Sequence, residues 1–165
     1  MKQRPRKNWR KTKLFVDTNI LLLYIVGSLS LDRITRHKRT DTFTVEDYWL
    51  LDSLLAKFGG IVVTPNVLTE VSNLLGQTDE KARWALLAWL GSRVPALDEH
   101  YVPSHQAVEA PEFSRLGLAD ASILSCSTQG MTVLTDDVHL YLALQRRGVE
   151  VINFNHLRER AWREE

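Results

Sequence analysis

Short apolar runs, largely β-branched, alternate along this 165-residue chain with stretches of helical pattern. No other feature constrains the fold as strongly. A strand followed by a helix must return across the sheet, so such a chain builds a mostly parallel sheet joined by right-handed crossovers. Strands are expected at 13–17 (KLFVD), 61–63, 94–98, 132–135 and 149–153. The apolar run 20–26 reads as a helix crossing back over the sheet. A second helix at 45–58 is stopped by Gly59-Gly60. Thr64 and Pro65 provide an N-cap and first-turn proline for a helix to Leu75. Thr78 or Asp79 caps the next, which runs to Arg93. A short helix is expected at 104–110, a longer one at 118–129 closed by Gly130, another at 138–147 closed by Gly148, and a helical tail from His156. The segment 84–90 (WALLAWL) is apolar nearly all round, which predicts burial on more than one side, as core or as a seam between two copies.

Composition narrows the class. With 44% hydrophobic and 25% charged residues, and only 8 Gly and 5 Pro, the chain is globular rather than disordered or fibrous. Its length fits one domain, at 13–165, behind a basic arm at 1–12. The lone cysteine, Cys126, excludes an intramolecular disulfide and a cysteine-rich metal site, and suits a reducing compartment. No apolar run approaches the ~18–20 residues of a membrane span. Asp17, Thr18 and Asn19 interrupt the apolar stretch behind the arm, and no small-x-small cleavage site follows. A cytoplasmic location is therefore expected.

A net charge of +1 argues at first against a polyanion partner. The average conceals a split. Residues 1–13 carry seven basic side chains and no acid, while the remaining 14 basic residues face 20 acids, so a +7 segment precedes a −6 body. Within the arm, Arg4, Arg6, Lys7, Arg10 and Lys11 with Trp9 are candidates for RNA phosphates and a stacked base, joined by Arg36, Lys38 and Arg39 from a polar stretch at 28–42. A solvated basic tail is the competing reading.

In parallel α/β sheets, functional groups gather at the carboxyl ends of the strands. Asp17 ends the first strand, and Asp136 and Asp137 end the strand at 132–135. At about 100° per residue, Val67, Leu68, Val71, Leu74 and Leu75 share one helix face with Glu70 at its edge. Leu116, Ala119, Ile123 and Cys126 share another, flanked by Asp120. Apart from the arm before Asp17, no Lys or Arg lies within four residues of any of these acids. Half-buried carboxylates so placed repel and protonate unless a cation joins them. Oxygen ligands without cysteine or a histidine pair select Mg²⁺ or Mn²⁺ over Zn²⁺.

Four segments in this order, LFVDTNILL, TPNVLTEVSNLL, LGLADASILSCSTQG and TVLTDDVHLYLALQRRGVEVINF, resemble the PIN domain, over about residues 13–156. The resemblance implies an α/β/α sandwich with a five-stranded parallel sheet. It also implies a Mg²⁺- or Mn²⁺-dependent ribonuclease leaving 5′-phosphate and 3′-hydroxyl ends, and the possibility of a VapC-like toxin held by an antitoxin. By motif, Asp17, Glu70, Asp120 and Asp137 resemble the four metal-binding catalytic acids. Asp136 is the alternative or outer fourth ligand, because the T-x-D pattern reads here as Thr135-Asp136-Asp137. Asn19 and Thr135 would orient ligands or water through hydrogen bonds. The resemblance and the apolar 84–90 helix together imply a homodimer. The basic arm and the long stretch at 28–47 depart from the compact form of the family. Two rivals remain. An aspartyl-nucleophile phosphatase of the haloacid-dehalogenase type needs an acid two positions after the first, where Asn19 stands. An RNA- or partner-binding module that keeps the fold without turnover has no need of the full acid set.

Overall fold

The computed structural model describes residues 9–128 and 130–163. Five parallel strands form one sheet in the order β3-β2-β1-β4-β5: β1 Leu14–Val16, β2 Ile61–Val63, β3 Asp98–Glu99, β4 Thr132–Thr135 and β5 Glu150–Asn153. The chain builds outward from β1 through β2 to β3, then crosses to the other side of β1 for β4 and β5. Helix α1 (Thr18–Leu29) leaves β1. Helices α2 (Val45–Leu55), α3 (Pro65–Leu75) and α4 (Glu80–Arg93) pack around it, directly or in succession. Helices α5 (Ser104–Ala107), α6 (Phe113–Cys126) and α7 (Val138–Arg146) form a second group, and α8 (Phe154–Arg163) follows β5. This is the α/β/α sandwich, with every strand parallel.

The elements begin where the caps place them. The carboxylate of Asp17 accepts from the backbone N–H of Ile20, and Thr64 accepts from Val67 with Pro65 in the first turn. Asp79, rather than Thr78, caps α4 by accepting from Ala82. Thr44 and Asp47 form a reciprocal capping box on α2. Helix α2 stops at Leu55, three residues short of the expected end. Helix α6 starts at Phe113 but breaks at Gly117, whose φ of +79° only glycine adopts cheaply, and the part after the break begins at Leu118 as expected.

Three expectations fail. Residues 94–98 are not a strand: a 3-10 turn at Val94–Ala96, started by Pro95 near its head, leaves only Asp98–Glu99 to pair with β2. The all-round burial expected of 84–90 belongs to α1 instead. There Ile20, Leu21, Leu22, Leu23, Ile25 and Val26 are all fully buried, because α1 leaves the central strand and has α2, α3 and α4 as neighbours. Helix α4 leads to the edge strand β3, so it buries only Ala82, Leu86 and Leu90 and leaves Trp84 73% exposed. The buried face of α6 likewise differs from the expected one: Ala121, Ser122, Ile123 and Leu124 are buried, and Leu116, Ala119 and Cys126 only partly so.

The arm is docked at its inner end. Trp9–Lys11 form a 3-10 turn, the Trp9 ring stands edge-on to Phe58 at 4.7 Å, and the Gly59 N–H donates to the carbonyl of Thr12 at 2.9 Å. Trp9 is thus half-buried structure rather than a free stacking surface. Arg4, Arg6 and Lys7 lie outside the described residues. Among the described residues no helix is long and apolar enough to cross a membrane.

Close packing of α1 on α2 sets a testable limit. A Cβ at Gly27 would stand 2.2 Å from the ring of buried Tyr48, whereas Gly91 on α4 has nothing within 4 Å. Gly91→Ala should raise stability by about 0.5–1 kcal/mol through helix propensity, and Gly27→Ala should lower it by about 1–3 kcal/mol despite the same propensity gain. Urea midpoints give both values, and a Gly27→Ala protein as stable as the wild type would contradict the packing described.

Candidate metal centre

The register of β1 against β4 pairs Leu14 with Thr132, Phe15 with Val133 and Val16 with Leu134. One step further along, Asp17 comes to lie beside Thr135. This is the point where chain order reverses across the sheet, the place where α/β folds open a crevice at their strand ends. Asp17 is 3% exposed. One carboxylate oxygen accepts from the Ile20 N–H at 2.9 Å. The other accepts from the Thr135 hydroxyl in a short bond and from the Asp136 N–H at 3.2 Å. The Thr135 hydroxyl in turn accepts from the Asp137 N–H at 2.9 Å. One buried threonine therefore fixes both the first acid and the turn carrying the next two.

Around this centre Glu70, Asp136 and Asp137 each have their own donor. Glu70, exposed on α3, accepts from the Thr18 hydroxyl at 2.6 Å. Asp136, half-buried, accepts from the Asn19 amide at 3.1 Å. Asp137 caps α7, accepting from the N–H groups of His139 and Leu140 at 2.6 and 2.9 Å. Asp120, half-buried on α6, has no such donor among the described residues, and its charge partners are Asp137, Glu70 and Asp136. So Asp17, Glu70, Asp120, Asp136 and Asp137 share one neighbourhood, with Asn19 and Thr135 bonded to two of them.

The energetics follow from that crowding. Burial, and next the Asp136 charge, push the Asp17 carboxyl well above the usual range, although its hydrogen bonds pull the other way. Burial and the charges of Asp137, Glu70 and Asp136 raise Asp120 to about 7. Asp136 is raised by burial, an effect that its bond from Asn19 and the nearby Arg158 moderate. Arg158 itself is held by Asp47 at 2.8 Å and by the carbonyl of Thr42 at 2.9 Å.

The donor chemistry fits a hard divalent cation: carboxylate, hydroxyl and amide oxygens, with no thiolate or imidazole pair among them. Among the described residues no three Asp, Glu, His or Cys side chains stand together as a ready coordination sphere. The reason is visible in the bonds above, since Glu70, Asp136 and Asp137 are each turned onto a separate donor. Asp17 and Asp120 are the acids that burial and like charge leave most in need of a cation, with Asp136, Asp137 and Glu70 within electrostatic reach.

The basic candidates do not converge here. Trp9, Arg10 and Lys11 precede β1 and so lie at the amino edge of the sheet, three strand residues away from the acids. Arg39 donates to Gln77, just past the end of α3, at 3.0 Å, and Arg36 lines a recess of about 340 Å³ with Arg33, Thr78 and Asp79. Lys38 is exposed on the same loop. Buried His37, close to the Leu75 carbonyl, pins that loop to the far end of α3 from Thr64.

Other polar groups stand at this edge without having been singled out in the sequence. Thr18 clamps Glu70, and Asn155, just after β5, donates to the Asp136 carbonyl at 3.0 Å. Extending the strand-end rule to β5 would have found Asn155. Arg115 meets the His139 ring at 3.1 Å, joining the first turns of α6 and α7 beside Asp137, and no local spacing signals that pair.

Family models yield no match to this chain, and neither do curated proteins.

The raised acids set a pH signature. A carboxyl whose folded pKa lies above its unfolded value binds more protons in the folded state, so its contribution to stability falls as pH rises from about 4 towards the folded value and then levels off. For Asp120 that window closes just above 7. In EDTA, Asp120→Asn should therefore gain stability relative to wild type between pH 5 and 8. Denaturant titrations across that range measure it, and a difference independent of pH would contradict the assigned environment.

Proposed function

We propose that this chain is a Mg²⁺- or Mn²⁺-dependent endoribonuclease of the PIN type, hydrolysing RNA phosphodiester bonds at the carboxyl edge of β1 and β4. One observation carries the reading: five carboxylates from four separate segments lie within electrostatic reach of one another by the topological switch point, and two of them have raised pKa values. The four-segment resemblance to PIN domains supports RNA as substrate, with 5′-phosphate and 3′-hydroxyl products.

Asp17, Glu70, Asp120 and Asp137 or Asp136 would hold the cation. A divalent cation bound there supplies positive charge to the scissile phosphate and lowers the pKa of an attacking water. Thr135 keeps Asp17 in one orientation through its hydroxyl, while Asn19 and Asn155 steady Asp136 from its side chain and its carbonyl. Arg158 offsets part of the negative charge at Asp136. Asp120 is partly neutral near pH 7, so its proton must leave as a cation binds.

A cytoplasmic enzyme is the natural setting for this chemistry. A VapC-like toxin with an antitoxin is the narrower form of the same reading, and a small antitoxin-like reading frame beside this one would distinguish it from an RNA-processing role. The exposed Trp84 and the partly exposed Leu87 on α4 support a homodimer through that helix.

Purified protein incubated with structured and single-stranded RNAs should cleave them in Mg²⁺ or Mn²⁺ and not in EDTA. Asp17→Asn and Asp120→Asn should each lower the rate by roughly 10²-fold or more, and Thr135→Val by about 10-fold or more. Cleavage that resists EDTA, or that survives both acid substitutions, would overturn this function.

A further inference from the structure

A groove of about 390 Å³ adjoins the acidic centre, and Glu70 belongs to both. That volume is in the range of small-ligand sites. Helix α3 forms one wall with Asn66, Thr69 and Asn73, which at i, i+3 and i+7 share a single face with Glu70. Leu118, two residues before Asp120, forms part of the opposite wall. Tyr101 stands at the rim, immediately after β3 and so at the same carboxyl edge of the sheet, and is 75% exposed.

Two properties define the occupant. First, among the described residues no Lys or Arg lines the groove, and its one charged residue is an acid, so it is unsuited to a phosphate. Second, among the described residues the side-chain amides of Asn66 and Asn73 and the hydroxyl of Thr69 make no hydrogen bond, which leaves donors and acceptors unused in a groove that an exposed aromatic ring also lines. A neutral, flat, heteroatom-rich ring matches both. We propose that this groove is a nucleobase subsite: an unpaired base next to the scissile phosphate stacks on Tyr101, its edge facing Asn66 and Asn73. The inference rests on the ribonuclease reading above and deepens it. A paired base buries its faces between neighbours in the duplex and cannot enter such a groove without leaving the stack.

A test needs no turnover. Single-stranded RNA carrying 2-aminopurine is titrated with the full chain in EDTA, in parallel with the same strand annealed to its complement. The wild type should quench the single-strand fluorescence on binding and bind the duplex at least tenfold more weakly. Tyr101→Ala should lose the quench and weaken single-strand binding by roughly tenfold, as expected for removing one base–aromatic stack. Tyr101→Phe, which keeps the ring, should retain both. Because Tyr101 is exposed, its variants should keep the wild-type circular dichroism and melting temperature, and Asn66→Ala with Asn73→Ala provides a second route to weakened binding. Equal affinity for single strand and duplex, or an unchanged quench in Tyr101→Ala, would overturn the subsite. If metal-dependent cleavage by the wild type persists in that case, the ribonuclease reading stands. No RNA cleavage under any divalent cation would overturn both. Loss of a co-purifying protein from Tyr101→Ala, with RNA binding unchanged, would assign the groove to a peptide instead.

Discussion

Burial of one carboxylate, Asp17, is the constraint from which the rest of the arrangement follows. An acid that is 3% exposed is costly unless it is hydrogen-bonded and its charge compensated. The fold meets the first requirement three times over, with the Ile20 N–H, the Thr135 hydroxyl and the Asp136 N–H. Those bonds start α1 and hold the end of β1 to the end of β4, across the point where chain order reverses. They do not meet the second. The charges closest to Asp17 are other acids, and burial with Asp136 keeps its pKa high. A carboxylate held by three hydrogen bonds, with Asp136 and Asp120 as its charged neighbours, is what supports the proposal of a cation here.

The polarity of the sheet gives the site its direction. Asp17, Asp136 and Asp137 stand at the carboxyl edge, with Tyr101 and Asn155 just beyond β3 and β5 on the same edge. Trp9, Arg10 and Lys11 stand at the amino edge, and the Arg36–Arg39 loop is fastened near the C-terminal end of α3. Positive charge is therefore set apart from the acids rather than neutralising them. Arg158 lies close to Asp136, and its tie to buried Asp47 makes it part of the framework as well as a neighbour of that acid.

Much of this was legible in the sequence, and the failures have physical causes. The strands at 61–63 and 132–135 and the helix ending at Leu75 could be located because caps, Pro65 and β-branched runs are local signals. Asp17, Asp136 and Asp137 could be selected because they end strands, and Glu70 and Asp120 because they flank the apolar faces of helices. What failed depended on neighbours. Whether the apolar run of α1 or that of α4 is buried all round is decided by which strand each helix flanks. The 94–98 run lost most of its strand because Pro95 and the edge position of β3 outweigh its apolar content. The pairing of Thr18 with Glu70, and of Arg115 with His139, joins residues distant in sequence and leaves no local trace.

The central claim is that these carboxylates hold a divalent cation. Calorimetric titration of the full chain with Mn²⁺ at pH 7, in two buffers of different ionisation enthalpy, tests it most directly. The account predicts saturable binding accompanied by proton release, because Asp120, raised to about 7, carries a proton in part of the population that a cation must displace, with the release reduced in Asp120→Asn and the binding lost in Asp17→Asn. Absence of saturable binding, or binding of equal strength in Asp17→Asn, would contradict it.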